Sequence, residues 1–341
     1  MPQRALPSHT DFEASPAAPQ LTQPGGDPIA SAAQLWAPIA RFTAVERDLA
    51  ERMSHQPVLS ALYEFLRFGF KQAWACLFAA IMLSLLIASR YGYPDWMPVT
   101  RYDFLLLSAI AVQAFLLAYK FETPDEARII LIYHIIGTVM EIFKTHMGSW
   151  IYPEASFFHI GGVPLFTGFM YSCVGSYLCR VWRLFDFRFV HHPPLWALLV
   201  LSVLVYLNFF THHYIPDMRL ALFGLTALLF LRTQVYFKIW HVHRSMPLLL
   251  GFVLVAMFIW FSENIGTFTR TWVYPSQLHE WSPVGFAKLG SWFLLMIISY
   301  SLVAFINRPQ VMASPKAASL EPDRAIGTEP LHQQQGLQPC E

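Results

Sequence analysis

The stretch Met246-Pro-Leu-Leu-Leu-Gly-Phe-Val-Leu-Val-Ala-Met-Phe-Ile-Trp-Phe-Ser-Glu-Asn-Ile265 holds twenty residues and a single charge, Glu263. Crossing the hydrocarbon core of a bilayer takes about 20 helical residues, and a soluble helix of that length would show a polar face. The segment is therefore predicted to span a membrane, with a carboxylate near one end. Working outward from it, seven further apolar runs are predicted to span, at about 73–89, 104–119, 127–146, 157–178, 195–210, 219–238 and 285–306. Two of them hold a charge inside the boundary, Glu141 in the third and Arg232 in the sixth, where Arg232 is expected to snorkel. Composition agrees: only 13% of the 341 residues are charged and 55% are hydrophobic, against about 25% charged in a soluble domain. A soluble α/β or all-β protein is excluded. The net charge of +1 offers no basic patch, so no nucleic-acid partner is expected. Cys76, Cys173, Cys179 and Cys340 form no CxxC pair and suggest neither a disulfide framework nor a zinc knuckle.

The fold class expected is all-α, a polytopic membrane bundle. Residues 1–42, rich in Pro, Ala, Gln and Ser, read as a disordered tail, and residues 308–341 read the same way. Residues 43–72 read as amphipathic interfacial helices, opening on a capping box at Thr43 and Glu46, with Leu59, Leu62, Leu66 and Phe70 on one face. Lys and Arg near the span ends are commoner on the side that holds both termini. That bias predicts a multi-pass protein of the inner (plasma) membrane with both termini cytoplasmic.

An internal repeat runs through the apolar region. Glu141-x8-Trp150-x-Tyr152-Pro153 recurs as Glu263-x8-Trp272-x-Tyr274-Pro275, 122 positions on, from 141 to 263. The same offset carries Thr145 to Thr267, Pro94-Asp95 to Pro216-Asp217 and Trp74 to Trp196. The reading is a parallel 4+4 internal duplication of about eight spans, residues 73–181 and 182–307, related by an axis along the membrane normal. Glu141, Glu263, Asp95, Asp217 and both Trp-x-Tyr turns then share the non-cytoplasmic side.

A carboxylate inside a membrane boundary is costly and tends to be functional. His134, Thr138, Glu141 and Thr145 recur at helical spacing and form a polar stripe on one face. In the second half the equivalent residues are Ala256, Trp260, Glu263 and Thr267, so the halves keep the Glu and Thr and differ at His134. The candidate catalytic residues are Glu141, Glu263 and His134. The candidate substrate-binding residues are Trp150, Tyr152, Trp260, Trp272, Tyr274, Asp95 and Asp217. The plain counter-reading makes the aromatics interfacial anchors and Glu141 a partner of Lys144 or His134. No metal site is assigned, although His212, His213, Asp217 and Glu141 fall on one side and are chemically able to form one. There is no GxGxxG, Walker or GxSxG motif, so no ATP, nicotinamide or flavin cofactor is expected. Ile160-Gly-Gly-Val-Pro164 reads as a packing or hinge element of the fourth span.

From about Tyr63 to Ile306 the chain resembles the YoaT-like family of bacterial multi-pass proteins, on Arg67-Phe-Gly-Phe-Lys-Gln-Ala-Trp74 and the two Trp-x-Tyr-Pro turns. That family implies architecture and no activity. Glu141-x6-Gly148-x-Trp150-x-Tyr152, followed by Gly162-Val163-Pro164, is similar to the signature of the membrane carotenoid hydratases, and heterodimeric lycopene cyclases look distantly similar. This second resemblance implies cofactor-free acid chemistry on a polyene. The residues make that coherent: a poorly solvated Glu as acid, indole faces to meet a cation, and an apolar lipid-like substrate arriving through the bilayer. The expected function is thus a hydratase, cyclase or isomerase acting on an isoprenoid or similar lipid. The rival is a proton- or cation-coupled transporter or channel with the paired glutamates on its path.

Overall fold

The computed structural model describes residues 57–94, 96–240 and 243–319. The expected N-terminal tail, the capping box at Thr43, Asp95 and the chain beyond residue 319 lie outside the described residues. In chain order the elements are α1 (Pro57–Ala75), α2 (Leu77–Gly92), α3 (Arg101–Ala118), α4 (Pro124–His146), β1 (His159–Ile160), β2 (Val163–Pro164), α5 (Phe166–Leu184), β3 (Arg188–Val190), α6 (Leu195–Thr211), α7 (Arg219–Phe230), β4 (Gln234–Lys238), β5 (His243–Pro247), α8 (Leu248–Phe268), α9 (Ala287–Asn307), β6 (Gln310–Met312) and α10 (Pro315–Ser319).

Three helices, α3, α8 and α9, are long and apolar enough to cross a membrane. The pair α1 and α2 qualifies together but bends by 65° between them. Leu199, Val203 and Leu207 on α6 and Val253, Phe258 and Phe261 on α8 are all exposed. Apolar surface on this scale is unusual around a soluble monomer and compatible with a protein embedded in lipid.

Three expectations need correction. The tail expected from residue 308 on begins with ordered structure, since β6 pairs with β3 and α10 follows it. The fold is mostly helical but not all-α. A four-stranded sheet of order β5-β4-β3-β6 gathers the segments that follow α5, α7 and α9 and the one that precedes α8. β4 pairs antiparallel with β3 and β5, while β6 runs parallel to β3. The sixth run therefore stops as a helix at Phe230, and Gln234-Val-Tyr-Phe-Lys238 goes into the sheet. β-branched and aromatic residues set close together favour that pleated surface. Arg232 is exposed at the turn between α7 and β4. The 12-residue α7 is about 18 Å long at 1.5 Å per residue, well short of a hydrocarbon core of about 30 Å.

The fourth run also begins later than expected. Residues 157–164 are not helical, and β1 and β2 form a hairpin whose turn is Gly161-Gly162. Both glycines have positive φ, +59° and +79°, the pair of left-handed conformations that a tight two-residue turn demands. The glycine pair is thus a turn and not a hinge within a span.

α4 and α5 form the closest helix pair. Thr123 caps α4, accepting from Glu126 N while the Glu126 side chain accepts from Thr123 N. At Gly137 the helices approach so closely that a Cβ there would lie 2.6 Å from Tyr171 Cγ. Gly137→Ala is expected to destabilise the protein by about 1–3 kcal/mol through overpacking, because the obstructing atoms are the root of the tyrosine and cannot swing aside. Unfolding titrations in detergent would show it, and an unchanged midpoint would refute the packing argument.

A carboxylate and a guanidinium are buried together where α3, α4 and α5 meet. Glu122 Oε1 accepts from Arg180 Nη2 at 2.9 Å and from Ser176 Oγ at 2.8 Å, and both charged side chains are fully buried. Gln113 donates to the other oxygen. The first half joins the second through Tyr133, whose hydroxyl donates to the Ser299 carbonyl of α9 at 2.7 Å. Around that contact Leu201, Phe252, Ile297 and Tyr300 belong to one core cluster.

His192, between β3 and α6, donates from Nδ1 to its neighbour's carbonyl, Pro193 O, at 2.6 Å, which leaves Nε2 to accept from the Tyr300 hydroxyl at 2.7 Å. Burial lowers its pKa to about 4. An unfolded histidine titrates near 6.5, so below that pH the unfolded chain binds the extra proton. Stability is therefore expected to fall as pH drops from about 6.5 to about 4 and to level off below. Denaturation across that window should show the slope in the wild type. It should be shallower in His192→Phe, which keeps a ring and cannot ionise; an equal slope in both would assign it elsewhere.

Candidate functional site

The two repeated motifs fold alike, bond for bond. α4 ends with Gly148 N donating to Thr145 O at 3.0 Å and Ser149 N donating to Lys144 O at 2.9 Å. α8 ends with Arg270 N on Thr267 O and Thr271 N on Gly266 O, both at 3.0 Å. These are paired Schellman stops, with the left-handed residue at Gly148 (φ +67°) in one and at Arg270 (φ +53°) in the other. Each stop turns the chain back along its own helix, and this makes the next residues reach the glutamate one to two turns upstream.

In the first copy Glu141 Oε2 accepts from Trp150 Nε1 at 2.7 Å and from the Tyr152 hydroxyl. In the second, Glu263 Oε1 accepts from Trp272 Nε1 at 3.0 Å and from the Tyr274 hydroxyl at 2.5 Å. The indole nine residues on and the phenol eleven residues on thus clamp each carboxylate in the same manner. The two clamps are joined by their backbones: Ile151 and Val273 exchange reciprocal N–H···O bonds of 3.0 Å. Trp150 meets Tyr274 edge-on, with ring centroids 6.0 Å apart.

Both glutamates are buried and line one cavity of about 90 Å³ between the halves. Their environments differ. Tyr171 on α5 donates to Glu141 Oε1 at 2.8 Å, so both oxygens of Glu141 are engaged. The residue 122 positions after Tyr171 is Phe293, which has no hydroxyl. Glu263 Oε2 accordingly has no donor among the described residues. Burial, then the neighbouring carboxylates, push the phenols of Tyr152 and Tyr274 well above their usual range, so both remain O–H donors at any ordinary pH.

Five sequence-predicted residues besides Asp95 deserve separate placement from this cavity. His134 lies two turns below Glu141 on α4, its ring 4.5 Å from Phe169, and does not line the cavity. Trp260 turns outward on α8, donating to Val284 O at 3.0 Å and stacking on Phe286. Asp217 pairs with Arg219 and accepts from Asn208 Nδ2 at 3.3 Å. His212 and His213 face Lys144, at 3.3 and 2.9 Å from its Nζ. Among the described residues no three His, Cys, Asp or Glu side chains are grouped to hold a metal, so His212, His213, Asp217 and Glu141 do not form the ligand set that their shared side allowed. The remaining four predicted binders, Trp150, Tyr152, Trp272 and Tyr274, all line the cavity.

Sequence reasoning missed Tyr171, Trp292 and Lys288. Tyr171 carries no signal in the repeat because its counterpart is Phe293. Lys288 lies on α9 with its Nζ 4.4 Å from the centre of the Tyr274 ring and 5.4 Å from that of Trp150.

Residues 64–300 match the family described as Protein of unknown function (DUF817). The chain belongs to this family. It is also 40% identical over 259 residues to the uncharacterised protein YoaT of Bacillus subtilis (strain 168), covering 76% of this chain and 97% of that protein. No solved structure matches. The DUF817 match takes in both Glu-x8-Trp-x-Tyr motifs and the cavity between them. The resemblance to carotenoid hydratases is not shown by either comparison.

Proposed function

We propose that this DUF817 protein is a membrane-embedded, cofactor-free acid catalyst that acts on an apolar lipid, with the cavity between Glu141 and Glu263 as its reaction site. The observation that carries the reading is the pair of buried carboxylates facing one cavity, each clamped by an indole N–H and a phenol O–H. A charge or an acid held away from water at a fixed position is expensive to build and belongs to chemistry more often than to packing.

The asymmetry of the pair divides the work. Glu141 accepts three hydrogen bonds and serves as the fixed acceptor. Glu263 keeps Oε2 open to the cavity and carries the proton. In the reaction, the Glu263 O–H bond breaks as its proton bonds to an alkene carbon, and the π electrons leave a cation on the adjoining carbon. Trp150 and Trp272 present electron-rich rings to that cation. In a hydratase water adds to the cation and then gives one proton to a glutamate carboxylate; in a cyclase a second double bond attacks it and the new cation loses a neighbouring proton to a carboxylate; in an isomerase the first cation loses a neighbouring proton to a carboxylate directly. The repeated motif geometry supports a parallel 4+4 duplication as the frame, eight membrane-inserted segments with the cavity on the pseudo-twofold axis. Placement in the inner membrane with cytoplasmic termini follows the distribution of Lys and Arg.

The deep end of the cavity is lined by Tyr133, Val174, Met296 and Ser299. Among the described residues no carboxylate, lysine, arginine or histidine lines that end, and the Tyr133 hydroxyl is taken up by the Ser299 carbonyl, which favours an acid site over a transport path. The test is a comparison of lipid extracts from cells with and without the protein. A lipid that gains water, a ring or a shifted double bond only when the protein is present is the expected result. Identical extracts, with the folded protein present in the membrane, would refute it.

A further inference from the structure

A second cavity, of about 300 Å³, lies on the other side of the Trp150–Tyr274 wall. Lys144, Lys288 and Arg219 all line it, together with His212. Lys144 is only 4% exposed, yet neither it nor Lys288 forms an ion pair among the described residues. Lys144 Nζ donates to the Nε2 atoms of His212 and His213, and the His212 ring is held for that role because its Nδ1 donates to Asn208 O at 3.0 Å. Arg219 is tied to Asp217 by its Nε and to Ser291 Oγ by its Nη1, leaving Nη2 without a partner among the described residues.

Lys144 and Lys288 are held in a half-enclosed pocket that no carboxylate lines among the described residues, which is costly unless an anion joins them. Asp217 pairs with Arg219, and the carboxylates nearest Lys288, Glu263 and Glu141, line the other cavity, so this pocket presents three cationic side chains and no acceptor charge of its own. A phosphoryl group brings three acceptor oxygens to those three side chains, where a single carboxylate brings two. The opposite wall is apolar, with Val205, Phe209 and Leu294. We propose that this pocket binds a phosphoryl group, and that its apolar wall favours one carried on a hydrocarbon chain. The inference does not rest on acid chemistry at the glutamates.

The test uses the full chain in maltoside detergent and phosphate-free buffer, with calorimetric titration of dodecyl phosphate, dodecanol and inorganic phosphate. Dodecyl phosphate is expected to bind at least tenfold more tightly than dodecanol. Lys288→Met should weaken it at least tenfold, and Lys288→Arg should restore it. Lys288 is half-buried and on a helix, so these variants are expected to fold, and thermal unfolding would verify that; the wild-type comparison of the two dodecyl probes needs no variant at all. Inorganic phosphate binding as tightly as dodecyl phosphate would keep the phosphoryl site and assign its ligand to the free ion. Equal binding of dodecyl phosphate and dodecanol, or no effect of Lys288→Met in a folded protein, would overturn the proposal. Glu263→Gln should bind dodecyl phosphate no more weakly than the wild type, which separates failure here from failure of the acid site.

Discussion

Glu122→Ala is expected to destabilise the protein by about 3–5 kcal/mol, the usual cost of leaving one member of a buried ion pair alone. The Arg180 guanidinium would stay at 0% exposure with no carboxylate in direct contact, Glu126 being paired with Arg183. Its remaining hydrogen bond, from Nη1 to the Trp74 carbonyl at 3.2 Å, does not offset a buried charge. Ser176 Oγ and Gln113 Nε2 would lose their acceptor in the same step. Joint replacement, Glu122→Met with Arg180→Met, should be far milder, because an apolar pair has no charge to desolvate. Unfolding free energies in detergent, measured for the single and joint variants, check both statements. A single-variant cost below about 1 kcal/mol would mean that water reaches the pair.

Glu263→Gln is expected to lower turnover by about 10²–10⁴-fold, the range that a positioned proton donor contributes. The substitution tests the site cleanly for a structural reason. Trp272 Nε1 and the Tyr274 hydroxyl both donate to Oε1, which the amide oxygen replaces. The amide NH₂ then falls at Oε2, where no donor stands to be repelled, so stability should change by less than about 1 kcal/mol. Glu141→Gln is different: one of its oxygens must become an NH₂ that faces a donor, Tyr171 on one side or Trp150 and Tyr152 on the other. It should perturb folding as well as activity, unless the Tyr171 hydroxyl rotates to accept. The readouts are the lipid product in extracts of cells expressing each variant and the thermal midpoint of each purified protein. Undiminished product from a folded Glu263→Gln protein would remove the proton from that residue.

Much of the candidate site was legible because it repeats. One Glu, Trp and Tyr at a given spacing is weak information, but the same three at the same spacing 122 positions later are hard to attribute to interfacial anchoring. The structure shows why the spacing matters: a helix stop of fixed length folds the ninth and eleventh residues back to the carboxylate. Residues chosen by helical periodicity alone fared differently. His134 and Trp260 occupy the same helix faces as the glutamates on paper, but α4 and α8 each bury more than one face, and these two residues meet Phe169 and Phe286 instead. Periodicity specifies a direction from one helix axis and is silent about which neighbour stands there.

The apolar run from 246 to 265, its companions at 104–119 and 285–306 and the doubled motif were determined by local chain chemistry, because hydrophobic length and motif spacing are properties of consecutive residues. Which carboxylate keeps a free oxygen, which lysines line a pocket without a direct ion pair and where the chain leaves helix for sheet were decided only by tertiary structure. Each of these depends on a group far away in the chain: Tyr171 against Glu141, Asp217 on Arg219 rather than on a lysine, β3 waiting beside β4. Hydrogen bonds and ion pairs are satisfied by whichever partner the packing brings within about 3 Å, and no one-dimensional pattern records that distance.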